Sequence, residues 1–169
     1  MYQMWKVKKS KVHGHGIVAT KNIKKNTQII EYIGEKVLRS EGNKRSEKRI
    51  KKYLNSNKTG SVYIFELNKK YDIDGSPSYN KARYINHSCN PNCEVDIVKN
   101  RIWISSIKGI KKGEELTYDY GYEFDKNDYK DHICKCGSNR CIGYIISSDD
   151  WDKFIKYLQK IVKNKNKMQ

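Results

Sequence analysis

A chain of 169 residues has room for one hydrophobic core with short appendages, and no second globular unit is expected. Its 35 Lys and Arg against 19 Asp and Glu give a net charge of +16. That balance suits contact with nucleic acid or acidic surfaces, but the lysines are dispersed and not gathered in a stripe, so charge alone selects no partner. No run of about 18 apolar residues follows anywhere, and Met1–Lys6 has no signal-peptide pattern, so a membrane role is excluded and an intracellular protein is expected.

In chain order, short β-rich runs come first: Gly16–Ala19, Gln28–Ile33, Ser61–Leu67 and Arg101–Ile104. Their spacing predicts small packed sheets and not βαβ units. Between them, about residues 40–57, the texture turns polar. Glu47 and Lys51 stand at i,i+4 and Ser40 offers a cap, which predicts an inserted surface helix. Ser147–Asp150 reads as a helix start, and Trp151, Phe154, Ile155, Leu158, Ile161 and Val162 then recur at helical spacing. A single amphipathic helix is expected to end the fold, its apolar face packed on this same chain, with fraying from Asn164 onward.

Five cysteines, an odd number, argue against a disulfide framework. Cys134, Cys136 and Cys141 form a C-x-C-x4-C cluster around a Gly137 turn. Cys134 and Cys136 are too close for an unstrained bond, yet thiolates at that spacing bend round one ion, which points to zinc. Cys93 has no assigned partner.

Two blocks carry the remaining chemistry: Arg83–Asn92, which reads RYINHSCNPN, and Gly113–Tyr120, which reads GEELTYDY. Taken in this order, with the cysteine cluster after them and His13-Gly14-His15-Gly16 and Glu31–Glu35 before them, they resemble the SET-domain protein-lysine methyltransferases. The likeness spans about residues 6–146 and is nearest to the mixed-lineage-leukaemia and trithorax type, which carries a post-SET cysteine cluster. It implies a mainly β fold, the β-clip SET arrangement of small sheets, in which the Asn86–Cys89 and Tyr118–Tyr120 segments cross in a knot-like way. A zinc-bound post-SET loop and one C-terminal helix follow. On this basis residues 1–133 form the SET domain with its insert at about 40–57, 134–146 the post-SET loop, and 147–169 the helix and tail.

The resemblance also assigns roles. Cys89 becomes the fourth zinc ligand beside Cys134, Cys136 and Cys141. His13, Gly14, His15 and Gly16 line the S-adenosylmethionine site. Asn86 takes the amino end of that cofactor, and the His87 backbone takes its adenine. Tyr144 is placed to stack on the adenine ring. Tyr120 matches the catalytic tyrosine, Tyr63 a tyrosine lining both cofactor and lysine channel, and Tyr32 a further wall. Tyr118 stands where the family alternates Phe and Tyr, a position linked to how many methyl groups fit. A hydroxyl there implies mono- or dimethylation.

The implied chemistry is an in-line displacement in which only a neutral amine attacks. From an unperturbed lysine pKa near 10.4, neutralisation at pH 7 costs about 4.6 kcal/mol unless the site lowers that value. A neighbouring sulfonium and a dry channel both do so. The expected substrate is a lysine of a histone, ribosomal or other basic protein. Seven acids between Glu114 and Asp131 (Glu114, Glu115, Asp119, Glu123, Asp125, Asp128, Asp131) are expected to attract it, while the basic remainder docks near nucleic acid. The expected location is cytoplasmic in a bacterium and nuclear in a eukaryote.

Two departures from the family pattern, the lysine-rich insert and Ser76–Ala82, bear on peptide choice. Rival readings are a non-catalytic zinc module binding nucleic acid or a basic protein, a His87–Cys89 thiol-protease pair, and a metal-dependent hydrolase. The protease pair is disfavoured because residues two apart on an extended segment do not normally meet, and the hydrolase because four cysteines leave the metal no open position.

Overall fold

The computed structural model describes residues 3–54 and 62–166. Strands β1 (Trp5–Lys9), β2 (His15–Ala19), β3 (Gln28–Tyr32) and β4 (Glu35–Leu38) precede helix α1 (Arg39–Leu54). Strands β5 (Ile64–Glu66), β6 (Tyr71–Asp74), β7 (Asn86–His87), β8 (Cys93–Val98), β9 (Arg101–Ser106) and β10 (Glu115–Tyr118) follow, and helix α2 (Trp151–Asn166) comes last. The strands make three small sheets, ordered β1-β2-β10-β7, β3-β9-β8 and β4-β6-β5.

Three of the four predicted strand runs return with bounds moved by at most two residues, as β2, β3 and β9. The run Ser61–Leu67 contracts to β5, and Ser61 lies outside the described residues. The β8–β9 hairpin turns through Lys99 and Asn100 at φ 50° and 58°, between the paired Val98 and Arg101. Positive φ at both central residues gives a loop twist that matches the strands it joins.

The core sits between the first two sheets, where Ile17, Ile104, Leu116, Ile102 and Ile85 are fully buried. Alternation along the strands drives this: in β10, Leu116 and Tyr118 face the core while Glu115 and Thr117 face the other way. All pairings are antiparallel except β7 with β10, where Thr117 pairs Asn86 and Tyr118 pairs His87. That parallel pair marks the crossing of the two motif blocks. Asn92 secures it, its Nδ2 donating to Glu115 O at 2.8 Å and its Oδ1 accepting from Thr117 N at 2.9 Å.

Helix α1 begins at Arg39, so Ser40 lies inside its first turn and is not its cap; residues 55–57 of the predicted span lie outside the described residues. Ion pairs, and few apolar residues, hold it. Arg45 and Arg49 reach Asp74 of β6 at 3.0 and 2.9 Å, Arg45 also pairs Glu41 at 2.9 Å, and Arg39 pairs Glu66. Gly42 permits the close approach, because a Cβ there would stand 2.3 Å from Asp72 Oδ2.

Helix α2 follows a 3-10 turn, Ser148–Asp150, whose first N–H groups include Asp149 N donating to the Ser147 hydroxyl. Trp151, Phe154 and Tyr157 pack on Phe124, Tyr129 and Ile146 in a second, smaller core. The expectation that the whole apolar face packs on this chain needs correcting: Ile155, Leu158 and Val162 are 45, 37 and 57 % exposed. At 100° per residue these three turn away from the narrow Phe124–Tyr129 surface, which takes only one strip of the helix. The helix runs on to Asn166, past the predicted onset of fraying. Among the described residues no helix is long and apolar enough to cross a membrane.

Candidate functional site

Tyr118 and Tyr120 leave the end of β10 with ring centroids 5.0 Å apart. Tyr122 continues the series 5.9 Å from Tyr120. On the other side Phe65 lies 6.2 Å from Tyr118 and 5.1 Å from Tyr32. The phenols are tied down: Tyr120 OH donates to Ile85 O and Tyr32 OH to Tyr63 O, both at 3.0 Å. The Arg83 guanidinium lies 4.1 Å from the Tyr63 ring centre, and its Nη1 donates to Ser76 O.

Burial, reinforced by the neighbouring tyrosines, pushes Tyr32, Tyr118 and Tyr120 well above the usual phenol range. Burial raises Tyr122 as well. All four therefore stay neutral near pH 7. They form a wall of uncharged hydroxyls and aromatic faces that orients a polar group while disfavouring a charged one.

Beside this wall the loop through His13, Gly14, His15 and Gly16 closes on itself, Ser10 N donating to Gly14 O at 2.9 Å. Asn86 Nδ2 donates to His13 O, His15 O and Glu115 Oε1 at 3.3, 3.1 and 2.7 Å. The resemblance places Gly16 in the lining of the cofactor site. The space of its missing Cβ is filled from within, since a Cβ there would stand 2.3 Å from Glu115 Oε1. His15 packs its ring 5.7 Å from Tyr84.

His87 is 3 % exposed, and its Nδ1 accepts from Tyr120 N at 3.3 Å. Burial lowers its pKa against the opposing pull of Asp119, whose Oδ1 is 3.7 Å away, so the ring is a neutral acceptor. Its Nε2 lies 3.6 Å from Cys89 Sγ. The steric ground against a His87–Cys89 pair is thereby corrected, because the turn after β7 does bring them together. The nucleophile reading still fails: burial pushes the Cys89 thiol up to about 11, and its sulfur is engaged elsewhere.

Cys89 Sγ lies 3.7 Å from Cys134 Sγ and 3.9 Å from Cys141 Sγ, and with Cys136 the four sulfurs all fall within 4.8 Å of one another. Zn–S bonds of about 2.3 Å in a tetrahedron place sulfurs about 3.8 Å apart, so the cluster fits structural zinc. The fit joins the end of β7 to the loop 134–141. Although burial opposes it, hydrogen bonds from Ser138 bring the Cys136 thiol down to about 6, toward the thiolate that a metal needs. Cys93 stands apart, 1 % exposed in the main core, with its thiol pushed up to about 12 by burial. It is an inert packing residue.

The structure thus gathers Tyr32, Tyr63, Tyr118 and Tyr120 on one side and His13–Gly16, Asn86 and His87 on the other, with Cys89, Cys134, Cys136 and Cys141 behind. Tyr144 is placed differently. Its ring packs 4.9 Å from Tyr129 and 5.6 Å from Phe154, in the second core, while its carbonyl lies 4.0 Å from Cys89 Sγ.

The expected acidic patch is also partly dissolved. Glu115 turns inward to Ser10 and Asn86, and Asp119 accepts from Gly121 N and Ser148 N. Glu114 accepts from Lys111 N, and Asp125 from Asn127. Phe65, Arg83, Tyr122, Ser10 and Glu115 join the site without having been singled out for it. Tyr122 and Glu115 lie within two residues of Tyr120 or in its own motif, which is the signal that would have found them.

Comparison with known proteins agrees with this geometry. The SET domain profile matches residues 14–121. The chain is 42 % identical over 149 residues to histone-lysine N-methyltransferase trr of Drosophila melanogaster, covering 83 % of this chain and 6 % of that protein. Human histone-lysine N-methyltransferase 2D is 39 % identical over 137 residues, covering 79 % and 2 % respectively. The H3 lysine-4 specific enzyme of Saccharomyces cerevisiae is 38 % identical over 141 residues, covering 81 % and 13 %. The chain therefore spans only a small part of these much longer relatives.

Proposed function

The chain belongs to the SET domain family, of the mixed-lineage-leukaemia and trithorax type, and on that premise we propose that it is an S-adenosylmethionine-dependent protein-lysine N-methyltransferase acting on a histone. The observation that carries this is the parallel pairing of β7 with β10, which sets Asn86 and His87 against a wall of neutral, buried tyrosines.

The division of labour follows from the residues. When bound, S-adenosylmethionine supplies an electrophilic methyl group on a positively charged sulfur. His13–Gly16, Asn86 and the His87 backbone would hold it. Tyr32, Tyr63 and Tyr118 line the passage for the lysine stem, exclude water and leave a protonated amine poorly solvated, which lowers its pKa. Tyr120, fixed at both its backbone N–H and its hydroxyl, orients the reacting groups in line. The lysine ammonium loses its proton to solvent before transfer, so no side chain is needed as a base. Cys89, Cys134, Cys136 and Cys141 would hold a structural zinc ion, which would pin residues 134–146 against the site.

Histone tails are the substrate class by likeness to the relatives, one of which is named for lysine 4 of H3. A nuclear site of action in a eukaryotic setting follows, with the basic surface near nucleic acid. Tyr118 limits the product to mono- and dimethyl-lysine.

Transfer of labelled methyl from S-adenosylmethionine to histone H3 by the zinc-loaded protein tests this. Wild type is expected to label H3, and Tyr120→Phe to lower the rate by about 100-fold, the loss typical of removing one well-placed hydroxyl from a reacting centre. No label in H3 contradicts the substrate class. An unchanged rate in Tyr120→Phe contradicts the role of that hydroxyl.

A further inference from the structure

We propose that Glu115 is the positioning residue that fixes the amide of Asn86, and so determines recognition of the amino-acid end of the methyl donor; this rests on the methyltransferase reading. The Glu115 carboxylate accepts from the Ser10 hydroxyl through both oxygens, at 2.8 and 2.9 Å, and from Asn86 Nδ2 at 2.7 Å. Ser10 Oγ in turn accepts from Val12 N at 2.9 Å, so one carboxylate ties β10 to the loop and to β7. Gly16 leaves the room it occupies.

The consequence is an orientation. The Asn86 side chain faces three acceptors, Glu115 Oε1 and the carbonyls of His13 and His15, and only its NH2 group is attracted to them. A flipped amide would aim its own oxygen at all three. Of these acceptors only Glu115 bears a full charge, so it contributes most to the preference. With Nδ2 so engaged, Asn86 Oδ1 is the atom left to accept from an ammonium group. The carboxylate behind it favours a positive charge at that point.

This separates Glu115 from a merely structural residue, because its effect depends on the ligand having an α-ammonium group. The test is calorimetric, on zinc-loaded protein, with two probes: S-adenosylhomocysteine, which has the amino-acid end, and 5′-methylthioadenosine, which keeps the nucleoside and sulfur but lacks it. Glu115→Gln, isosteric and uncharged, is expected to weaken S-adenosylhomocysteine by roughly 10-fold or more, as for loss of a charged hydrogen bond. It is expected to leave 5′-methylthioadenosine within about twofold, within the scatter of a remote neutral change. Ser10→Ala, which loosens the same carboxylate without removing its charge, is expected to show the same selectivity to a smaller degree.

Equal weakening of both probes, or no weakening of either, overturns the assignment. Should Glu115→Gln melt at the assay temperature, Ser10→Ala decides by the same ratio. A wild type that binds neither probe instead removes the methyltransferase reading on which the inference stands.

Discussion

Tyr118 is 7 % exposed with its ring 5.0 Å from Tyr120, close enough for one hydroxyl to shape the space beside the other. On the proposed function, a water held at the Tyr118 hydroxyl would fill room that a dimethylated amine needs to accept a third methyl group. Tyr118→Phe would release it, and the ratio of trimethyl to dimethyl product on an H3 peptide is expected to rise by up to roughly 30-fold, the upper bound set by immobilising one water. Intact mass spectrometry reads this directly, and an unchanged ratio assigns product control elsewhere. The cysteine cluster was legible because metal binding demands one residue type at fixed spacing, as in Cys134, Cys136 and Cys141, whereas the role proposed for Tyr120 came from the family resemblance. Glu115 was not legible. As one of two adjacent acids it reads as surface charge, and only its bonds to Ser10 and Asn86 and the space over Gly16 reveal that its carboxylate is engaged within the protein. The 3.6 Å approach of His87 to Cys89 was hidden for a similar reason, since it depends on the turn after β7 and not on extended geometry.

At the scale of elements, α1 shows how a helix with a lysine-rich sequence is held in place. Its anchor is Asp74, 3 % exposed and shared by Arg45 and Arg49. Burial works to raise the Asp74 pKa, but hydrogen bonds from Arg49, Ser76 and Arg45 outweigh it and hold the carboxyl well below the usual range. Removing one partner of a buried pair costs about 3–5 kcal/mol, and solvent access to the two arginines reduces that, so Asp74→Asn is expected to destabilise the protein by about 2–3 kcal/mol in urea unfolding. The sign with pH follows from the depressed folded pKa. The stabilisation is complete above the unfolded value near 3.9 and is lost as pH falls through the folded one, so wild type and variant converge progressively below about pH 4. A difference that grows in acid contradicts the ion-pair anchor. Composition revealed that this helix exists but not what holds it, because arginine partners on a distant strand leave no periodic signature. For α2 the periodicity did give the helix, yet it did not distinguish the strip buried on Phe124 and Tyr129 from the strip left in solvent.

Across the whole molecule, the two motif blocks are 31 residues apart in sequence at the paired positions Thr117 and Asn86, and the parallel β7–β10 pair makes them one surface. Sequence pattern alone would not have brought them together; the family likeness supplied that crossing, while the small sheets around it were readable from their own spacing. The third contributor, the loop 134–141, has few apolar contacts of its own and is joined to the crossing through Cys89. Structural zinc supplies on the order of 10 kcal/mol in small domains, so the metal and the methyl-donor site are expected to stand or fall together. Calorimetric titration of the zinc-loaded protein with S-adenosylmethionine is therefore the most direct measurement. Saturable binding at a single site, abolished when a chelator strips the zinc, is the expected result; no binding to the fully metallated protein would contradict the assignment of this surface as a methyl-donor site.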